Sequence, residues 1–411
     1  MVSVRIPLNE EEVTSEWFAE ALSNTPTTRP AYRQNKVVSM ELSPMTRKLG
    51  FMTTHLRGNL VLDPEGDVPI FVKLVPQDPM FVNLMRRMRF DLNEVRFYDT
   101  LLPDFQRFIQ ERGCQNSVTL QVPEPVLVLA DSEKPESILV LRDMGADGYK
   151  TMDFTKDWTL PMLQAAARTL ATIHAVSYAF FEELGLETVL KRYPFMTPPH
   201  HTPGEEDQVH FQHVLQLIMQ TCIKDDVEFQ ESLIEICKRT EEHVEEIFDQ
   251  MKTGHPESTV RSLKQSDSWN NNYIVKKDSD GSFKMILVDW QWPFYGTAIS
   301  DLTSLLYTST SAEIRKIHTD EVLKEYRMTF NQTLKYLDYD KFEYTTELIR
   351  KDYNLSHLGV FYHLLMLSIA FTNSARQQPG GEAILVRYRE ALREMLTGGL
   401  VHEGLDKLEK R

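Results

Sequence analysis

The stretch that most constrains the fold reads NNYIVKKDSDGSFKMILVD, and it predicts two short strands joined through Asp280-Gly281. An Asp-Gly pair between apolar runs is a strong hairpin signal, because the tight turn requires positive backbone φ. Such a hairpin would bring Asp267 and Asn272, which precede its first strand, close to Asp289 at the end of its second. Oxygen ligands on both sides of one hairpin would therefore face a common point.

The spacing of these three side chains points to phosphoryl transfer. Asp267 and Asn272 have the D-x-x-x-x-N spacing of a kinase catalytic loop. Asp289 then stands where an acid holds Mg²⁺ against nucleotide phosphates, and Mg²⁺ takes few protein oxygens when phosphates supply the others. Alternatively, Asp and Asn only cap the turns at the hairpin ends, where both are common. The spacing alone does not decide, but the hairpin and the second acid together favour the phosphoryl-transfer site.

The N-terminal half carries a lysine and a glutamate in the order that a kinase requires. Lys73 lies within PIFVKLVP, a predicted strand, and Glu94 lies in the following helical pattern FDLNEVRFYDTLLP. A kinase uses a strand lysine on the α- and β-phosphates and a helix glutamate to hold that lysine. A strand lysine at a sheet surface and a solvated helix glutamate are the ordinary alternatives. Followed by Asp267, Asn272 and Asp289, the pair completes the kinase set.

The order of patterns along the chain predicts an α+β fold with two lobes. Strand patterns occupy about 36–76, a helical pattern follows over 81–112, and two more strands precede a mostly helical remainder. This order predicts an N-terminal nucleotide-binding lobe over 1–140, formed by a small sheet and one long helix. The larger, mainly helical lobe over 141–411 would carry the catalytic and acceptor-binding residues.

The composition excludes some partners. The 411 residues carry a formal net charge of −15, whereas binding to nucleic acid relies on clustered Lys and Arg. No apolar run reaches the roughly 18 residues of a membrane-spanning helix, so no membrane insertion is expected. The N-terminus lacks a signal-peptide pattern, and three widely spaced cysteines fit reduced thiols. These features predict a cytoplasmic protein that binds a small molecule.

Several segments together resemble the ecdysteroid kinase-like family, also called CHK kinase-like, which is related to choline kinases and aminoglycoside phosphotransferases. The family usually shows an H-G-D-x-W-x-x-N core, then I-D-F-Q and a D-L pair. This chain has QSDSWNNN from Gln265, VDWQ from Val288, and DL at Asp301. The other segments that carry the resemblance are EVTSEWF, NEVRFYDTLLP, ILVLRDMGADGYK, AARTLATIHAVSYA and SDLTSLLYTST.

The resemblance implies a protein-kinase-like fold and a role for each matching residue. It implies Asp267 as the catalytic base, Asn272 and Asp289 as Mg²⁺ ligands, and Lys73 paired with Glu94 on the phosphates of ATP.

It also implies two supporting contacts. Asp301 would buttress the catalytic loop. The adenine would meet the hinge backbone at Leu141, Arg142 and Asp143.

The main departures from the family pattern are Gln265 and Ser266, which stand where the family has His and Gly. The family histidine neither accepts the proton nor binds metal, and Gln keeps a donor and an acceptor at similar reach. Gln265 could therefore still support the loop. Ser266 is tolerable unless its backbone φ must be positive. The loop expected to cover the phosphates is also poor in glycine, with Gly50 alone.

The resulting hypothesis is an ATP- and Mg²⁺-dependent small-molecule kinase that phosphorylates a hydroxyl group. The resemblance points to an ecdysteroid-like or other small alcohol as the acceptor. The alternatives are a choline- or ethanolamine-type kinase, and a pseudokinase binding module because of the change at Gln265 and Ser266. The acceptor site is expected in the helical half after Asp301, near the apolar run at 358–371.

Overall fold

The computed structural model describes most of the chain, namely residues 4–25, 30–45, 53–75, 82, 85, 88–198, 205–221, 223–224, 226–240, 243–377 and 380–410. The fold is α+β, as the sequence predicted. A β-sheet forms the N-terminal part, and helices form most of the remainder.

The N-terminal sheet has five antiparallel strands in the order β1-β2-β3-β5-β4. Their bounds are Lys36–Pro44 for β1, Thr54–Asp63 for β2, Gly66–Leu74 for β3, Pro125–Ala130 for β4 and Ser137–Arg142 for β5. The helix Ser15–Asn24 begins at Thr14, whose hydroxyl accepts a hydrogen bond from the Trp17 amide at 3.2 Å. The apolar side of this helix packs into the same core as one face of the sheet.

The alternation of β3 explains where Lys73 points. Ile70, Val72 and Leu74 are fully buried, whereas the residues between them are partly exposed. Because successive strand side chains point to opposite faces, Lys73 lies on the face away from the core shared with the N-terminal helix. The strand register places His55 of β2 and Leu139 of β5 on either side of Lys73.

The helical pattern predicted over 81–112 is not one regular helix. The structure has helices at Phe90–Arg96 and Leu102–Glu111, joined by a π-helical turn at Phe97–Leu101. Pro103 explains the interruption, because proline has no N–H to donate to the carbonyl four residues before it. Of the residues predicted to begin this helix, 81, 83–84 and 86–87 lie outside the described part.

The strand β5 also bears on the boundary between the lobes. It continues to Arg142, so the boundary predicted between residues 140 and 141 falls inside a strand of the N-terminal sheet. The division of nucleotide and acceptor binding between the lobes stays a prediction.

The remainder of the chain is mainly helical. Its helices of ten or more residues run Leu160–Leu184, Glu205–Thr221, Val227–Arg239, Val244–Thr253, Ile299–Ser309, Ala312–Tyr336, Thr346–Gln377, Glu382–Thr397 and Leu400–Glu409, and Leu186–Arg192 is shorter. A further short helix, Pro30–Arg33, precedes the N-terminal sheet. Within the described ranges, no helix is both long enough and apolar enough to cross a bilayer.

The predicted hairpin is present within this helical half. Strand β8, Tyr273–Lys277, pairs with β9, Phe283–Leu287, and the short β6, Lys150–Thr151, joins them. Gly281 has φ +87°, as the tight turn requires. A second small sheet pairs β7, Arg261–Lys264, with β10, Phe294–Thr297. These two sheets carry the loops that contain Asp267 and Asp289.

Candidate active site

Lys73 is the centre of a three-residue ion-pair cluster. Its ammonium Nζ donates to Glu94 Oε2 at 2.6 Å and to Asp289 Oδ1 at 2.5 Å. The lysine comes from β3, the glutamate from the helix Phe90–Arg96, and the aspartate from the loop after β9. The fold thus joins the three residues that the sequence predicted as a set.

The charges of this cluster depend on one another. Burial opposes the charge of Lys73, but Asp289 and Glu94 outweigh that effect and raise the pKa of the ammonium above its usual value. Burial also raises the pKa of Glu94, and Asp289 adds to the rise while Lys73 opposes it. The contact of 2.6 Å between Lys73 and Glu94 nevertheless fits an ionised pair, because a charge-assisted bond of this length favours the carboxylate.

Asp289 has an unusual backbone conformation, and two tryptophans that follow it in the chain pack on aromatic rings. Its φ is +62°, a region that costs a non-glycine residue free energy and that is often found at functional sites. The following Trp290 is fully buried and stacks on Phe97 with centroids 4.0 Å apart and planes 5° apart. Trp292 stacks on Phe90 at 5.3 Å. The segment that carries Asp289 is therefore fastened to the helix that carries Glu94.

Asp267 and Asn272 contact each other directly in the catalytic loop, residues 265–272. The amide Nδ2 of Asn272 donates to Asp267 Oδ2 at 2.9 Å and to the Asp267 carbonyl at 2.7 Å. The backbone of Asn272 accepts from the Val288 N–H at 2.9 Å. Asn272 is thus joined to Asp267 on one side and to the residue before Asp289 on the other.

Gln265 is buried and makes three hydrogen bonds that tie the catalytic loop to the Asp289 segment. Its Nε2 donates to the Asp289 carbonyl at 2.8 Å and to the Val288 carbonyl at 3.3 Å. Its Oε1 accepts from the Asp267 N–H at 2.9 Å. Gln265 therefore uses both the donor and the acceptor that the sequence argument assigned to loop support.

Ser266 adopts positive φ, which is the condition under which the loss of glycine matters. Its φ is +65°, where an L-residue is strained by roughly 1–2 kcal/mol. Asp301 holds the strained segment, because its carboxylate accepts from the Gln265 N–H at 2.7 Å and from the Ser266 N–H at 3.0 Å. The serine is accommodated at this position, and it is strained.

Two buried residues that the sequence did not assign to the site support Asp301. His174 Nε2 lies 3.4 Å from Asp301 Oδ2, and His174 Nδ1 is 2.8 Å from the Tyr326 hydroxyl. His174 lies in AARTLATIHAVSYA, one of the segments that carry the family resemblance. A polar residue on a buried helix face was the only available signal, and Tyr326 lies too far along the chain to be paired with it from sequence.

The hinge predicted to bind adenine already uses two of its backbone donors. The Arg142 N–H donates to the Glu124 carbonyl and the Asp143 N–H to the Pro69 carbonyl, both at 2.8 Å. The Asp143 side chain pairs with Arg57 at 2.6 Å. Leu141 lies within β5 opposite Phe71. Adenine recognition by Leu141, Arg142 and Asp143 stays a prediction, and it cannot rely on those two N–H groups. The loop expected over the phosphates, with Gly50, lies largely outside the described residues.

One residue beside Asp267 was not predicted. His363, from the long helix Thr346–Gln377, places Nε2 3.7 Å from Asp267 Oδ1. The apolar neighbours of His363, such as Phe361 and Leu365, are buried in the core. Most of the run that was expected to bind the acceptor is therefore core. A single histidine in that apolar run carries no sequence signal of its own.

The family model described as the ecdysteroid kinase-like family matches residues 50–339. The chain belongs to this family. The matched region covers the site described above, from Lys73 to Asp301. The family is one of small-molecule kinase-like proteins, and its match confirms the resemblance predicted from sequence.

Several solved structures are similar to this ecdysteroid kinase-like protein at low identity. Choline kinase from Cryptosporidium parvum Iowa II is 11% identical, with 98% of this chain and 99% of that chain covered and a TM-score of 0.45. The GDP complex of wild-type aminoglycoside 2'-phosphotransferase-IIIa is 13% identical, with 88% and 94% covered and a TM-score of 0.39. The macrolide 2'-phosphotransferase MphH from Brachybacterium faecium is 11% identical, with 85% and 93% covered and a TM-score of 0.34. No curated protein matches the sequence.

Proposed function

We propose that this protein is an ATP-dependent kinase that transfers a phosphoryl group to a hydroxyl of a small alcohol. The observation that carries the proposal is the double ion pair of Lys73 with Glu94 and Asp289. In a kinase, the lysine–glutamate pair and the metal-binding acid must both be in place for catalysis. Asp267 and Asn272, which lie next to this cluster through the Val288 backbone, would supply the acceptor side.

The residues present fit a Mg²⁺ ion held between protein and nucleotide. Asp289 offers a carboxylate, and Asn272 is an amide that donates through nitrogen to Asp267 and can still coordinate a cation through oxygen. Two such hard oxygen ligands suit Mg²⁺ when phosphates complete its coordination. When bound, Mg²⁺ would neutralise negative charge on the phosphates. Lys73 would add a positive charge there, in a chain whose net charge is otherwise −15.

Asp267 is the proposed base. Its carboxylate would accept the proton of the acceptor hydroxyl while the new O–P bond forms and the bond from the γ-phosphorus to the bridging oxygen of ADP breaks. Asn272 orients the carboxylate through Oδ2, and Gln265 orients its backbone through the Asp267 N–H. Positioning of this kind supplies much of the rate enhancement in phosphoryl transfer.

Two alternatives differ from this proposal in distinct ways. A pseudokinase would follow if the Gln265-Ser266 change had disrupted the loop, but the hydrogen bonds of Gln265 and Asp301 support a formed loop. A choline- or ethanolamine-type kinase would need a site for a cationic head group. The buried ammonium of Lys264 lies near residues 265–272, and its positive charge disfavours a cationic head group bound beside it. The family name supports an ecdysteroid-like alcohol as one acceptor to test.

The test is phosphorylation of a metabolite extract by the purified protein with Mg²⁺ and ATP, read by mass spectrometry. We expect at least one hydroxyl compound to gain a phosphoryl group with wild type and none to do so with Asp289→Ala. Asp278→Ala, which removes a partly exposed hairpin acid paired with Lys284, is the matched control and should behave as wild type. ATP binding without any phosphorylated product would indicate the pseudokinase instead. Absence of ATP binding would refute the whole proposal.

A further inference from the structure

A small polar recess lies beside the proposed base. We call it the acceptor recess. Its volume is about 240 Å³ when the open space at its mouth is included. Side chains from the helix Val244–Thr253, strand β7, the catalytic loop and two further helices converge on it. Its polar lining contains one cationic side chain, Lys264, and one carboxylate, Asp301, together with Gln250, Ser266, Ser300, Ser304 and His363.

Two buried polar atoms in the lining of this recess lack a hydrogen-bond partner among the described residues. They are Gln250 Oε1 and Ser266 Oγ, and each residue is only 5% exposed. A buried polar atom without a partner is costly, and in native proteins it usually marks the place of an ordered water or a ligand. Gln250 needs a donor, whereas Ser266 can serve as donor or acceptor.

Lys264 adds a positive group to the same recess. Its ammonium donates to the Lys252 carbonyl at 2.8 Å and to the Met251 carbonyl at 3.4 Å. An ammonium has three hydrogens, so it can serve one more acceptor. Burial lowers the pKa of Lys264 to about 8, with Asp301 opposing the shift. Because the Asp301 carboxylate lines the same recess, the recess holds one group of each charge, which favours a neutral ligand.

The recess is adjacent to Asp267. Ser266 directly precedes the base, and His363, which lines the recess, lies 3.7 Å from the Asp267 carboxylate. A group bound in the recess would therefore lie one side chain away from the carboxylate that accepts the proton. The enclosed part of the recess has room for about one water-sized group, so it would hold a single hydroxyl at one end of an acceptor.

We propose that this recess is a subsite for a second hydroxyl of the acceptor, which presents the neighbouring hydroxyl to Asp267. A hydroxyl is the group that can donate to Gln250 Oε1 and accept from Ser266 Oγ or Lys264 Nζ. A quaternary ammonium has no N–H for Gln250 and would face Lys264. A carboxylate would face Asp267 and Asp301. The acceptor is therefore a neutral compound with two hydroxyls close together, an inference that rests on the proposed kinase function.

The test compares 1,2-propanediol with 1-propanol as acceptors for wild type and Gln250→Met, with Mg²⁺ and ATP. Methionine keeps the length of glutamine and removes the acceptor oxygen. We expect wild type to favour the diol, and Gln250→Met to lower kcat/KM for the diol by about three- to tenfold, as for loss of one hydrogen bond. Turnover of 1-propanol should stay within twofold. Gln164→Met, the same change on a helix that does not line the recess, should behave as wild type.

Crystals of wild type and Gln250→Met, each soaked in 1,2-propanediol, give a readout that does not need turnover. Diol in the recess of wild type and not of the variant supports the subsite, even if neither alcohol is phosphorylated and the kinase proposal fails for these probes. Diol bound equally in both proteins, or bound elsewhere, is an adventitious additive only and overturns the subsite. Equal turnover of both alcohols in both proteins overturns it as well, while the kinase proposal stands. Tighter binding of choline than of the diol by wild type also overturns it.

Discussion

The proposed nucleotide side and the proposed acceptor side of the site differ in how fully their polar groups are paired. On the nucleotide side, Lys73 is bonded to Glu94 and Asp289. On the acceptor side, Gln250 Oε1 and Ser266 Oγ are buried without partners in the described part of the chain. One side is arranged by its own charges, and the other leaves hydrogen bonds for a ligand to complete.

The two buried lysines show the same contrast. The carboxylates around Lys73 raise its pKa above the usual value despite burial. Lys264 donates to backbone carbonyls, and burial lowers its pKa to about 8. A buried charge keeps its proton when an opposite charge compensates desolvation, and it becomes easy to lose when neutral oxygens are its direct partners. Substitutions on the two sides should therefore have different signatures.

The largest expected effect is on turnover, from Asp267→Asn. The amide keeps the shape of the side chain and cannot accept the proton, so we expect kcat to fall on the order of 10²-fold or more. ATP affinity should be unchanged, because Asp267 bonds to Asn272 and not to Lys73. Steady-state kinetics with one accepted alcohol check the expected fall in kcat, and calorimetric titration with Mg·ATP checks the unchanged ATP affinity. An unchanged kcat would remove Asp267 from its proposed role.

Replacement of Lys73 should give the opposite signature. Lys73→Ala removes the cation expected on the phosphates, and we expect ATP affinity to fall by about thirtyfold, equivalent to about 2 kcal/mol, as for one charged hydrogen bond. Lys284→Ala, an exposed lysine on the hairpin, is the control. Unchanged ATP affinity in both Lys73→Ala and Asp289→Ala, measured by calorimetry, would show that the nucleotide binds elsewhere.

Lys264 should make stability depend on alkaline pH. The pKa of Lys264 in the folded state is about 8, against 10.5 for a solvent-exposed lysine, so between these values the unfolded state binds more protons. The free energy of unfolding from this group therefore rises with pH from about 8 to 10.5. Denaturant titrations at pH 7 and pH 10 should show wild type gaining about 2 kcal/mol relative to Lys264→Met. No difference in pH dependence would contradict the buried, uncompensated ammonium.

Gln265→His should change little, because the glutamine already makes the loop contacts. We expect turnover to stay within about tenfold of wild type, or about 1.4 kcal/mol, with ATP affinity unchanged. The assay is the steady-state series used for Asp267→Asn. A wild type without activity beside an active Gln265→His would identify the natural protein as a pseudokinase.

The smallest expected effect is on stability, from Ser266→Gly. Glycine adopts the observed φ of +65° without strain, so we expect the free energy of unfolding to rise by about 1 kcal/mol. Ser268→Gly, which lies in the same loop and does not have positive φ, should instead destabilise. Chemical denaturation of the two variants checks the sign. A loss of stability in Ser266→Gly would show that the loop is not strained there.

The part of the site that could be predicted is the part encoded by short-range patterns. The Asp-Gly turn, the Asp267–Asn272 spacing and the kinase order of Lys73 and Glu94 are all visible in the sequence. The family and the α+β fold predicted from them are confirmed. The roles assigned to the individual residues stay predictions.

The acceptor recess could not be predicted, for a physical reason. Gln250, Lys264 and His363 come from elements far apart in the chain and meet only through tertiary packing. Each lies in a stretch that predicts an ordinary helix or strand without assigning it a function, such as the apolar run around His363. The positive φ of Ser266 could not be predicted from the serine itself, because serine, unlike glycine, does not favour a left-handed conformation. Contacts between residues so far apart in the chain can be identified only from the folded structure.

The two ring stacks beside Asp289 have a mechanical consequence. Trp290 on Phe97 and Trp292 on Phe90 join the proposed metal-binding segment to the helix that carries Glu94. In protein kinases, control often acts by positioning that helix and that acid. These contacts couple the two elements, so displacement of one requires either that the other moves with it or that the ring contacts break. An on–off switch of that type would first have to separate two pairs of aromatic rings, each of which contributes on the order of 1 kcal/mol beyond its burial.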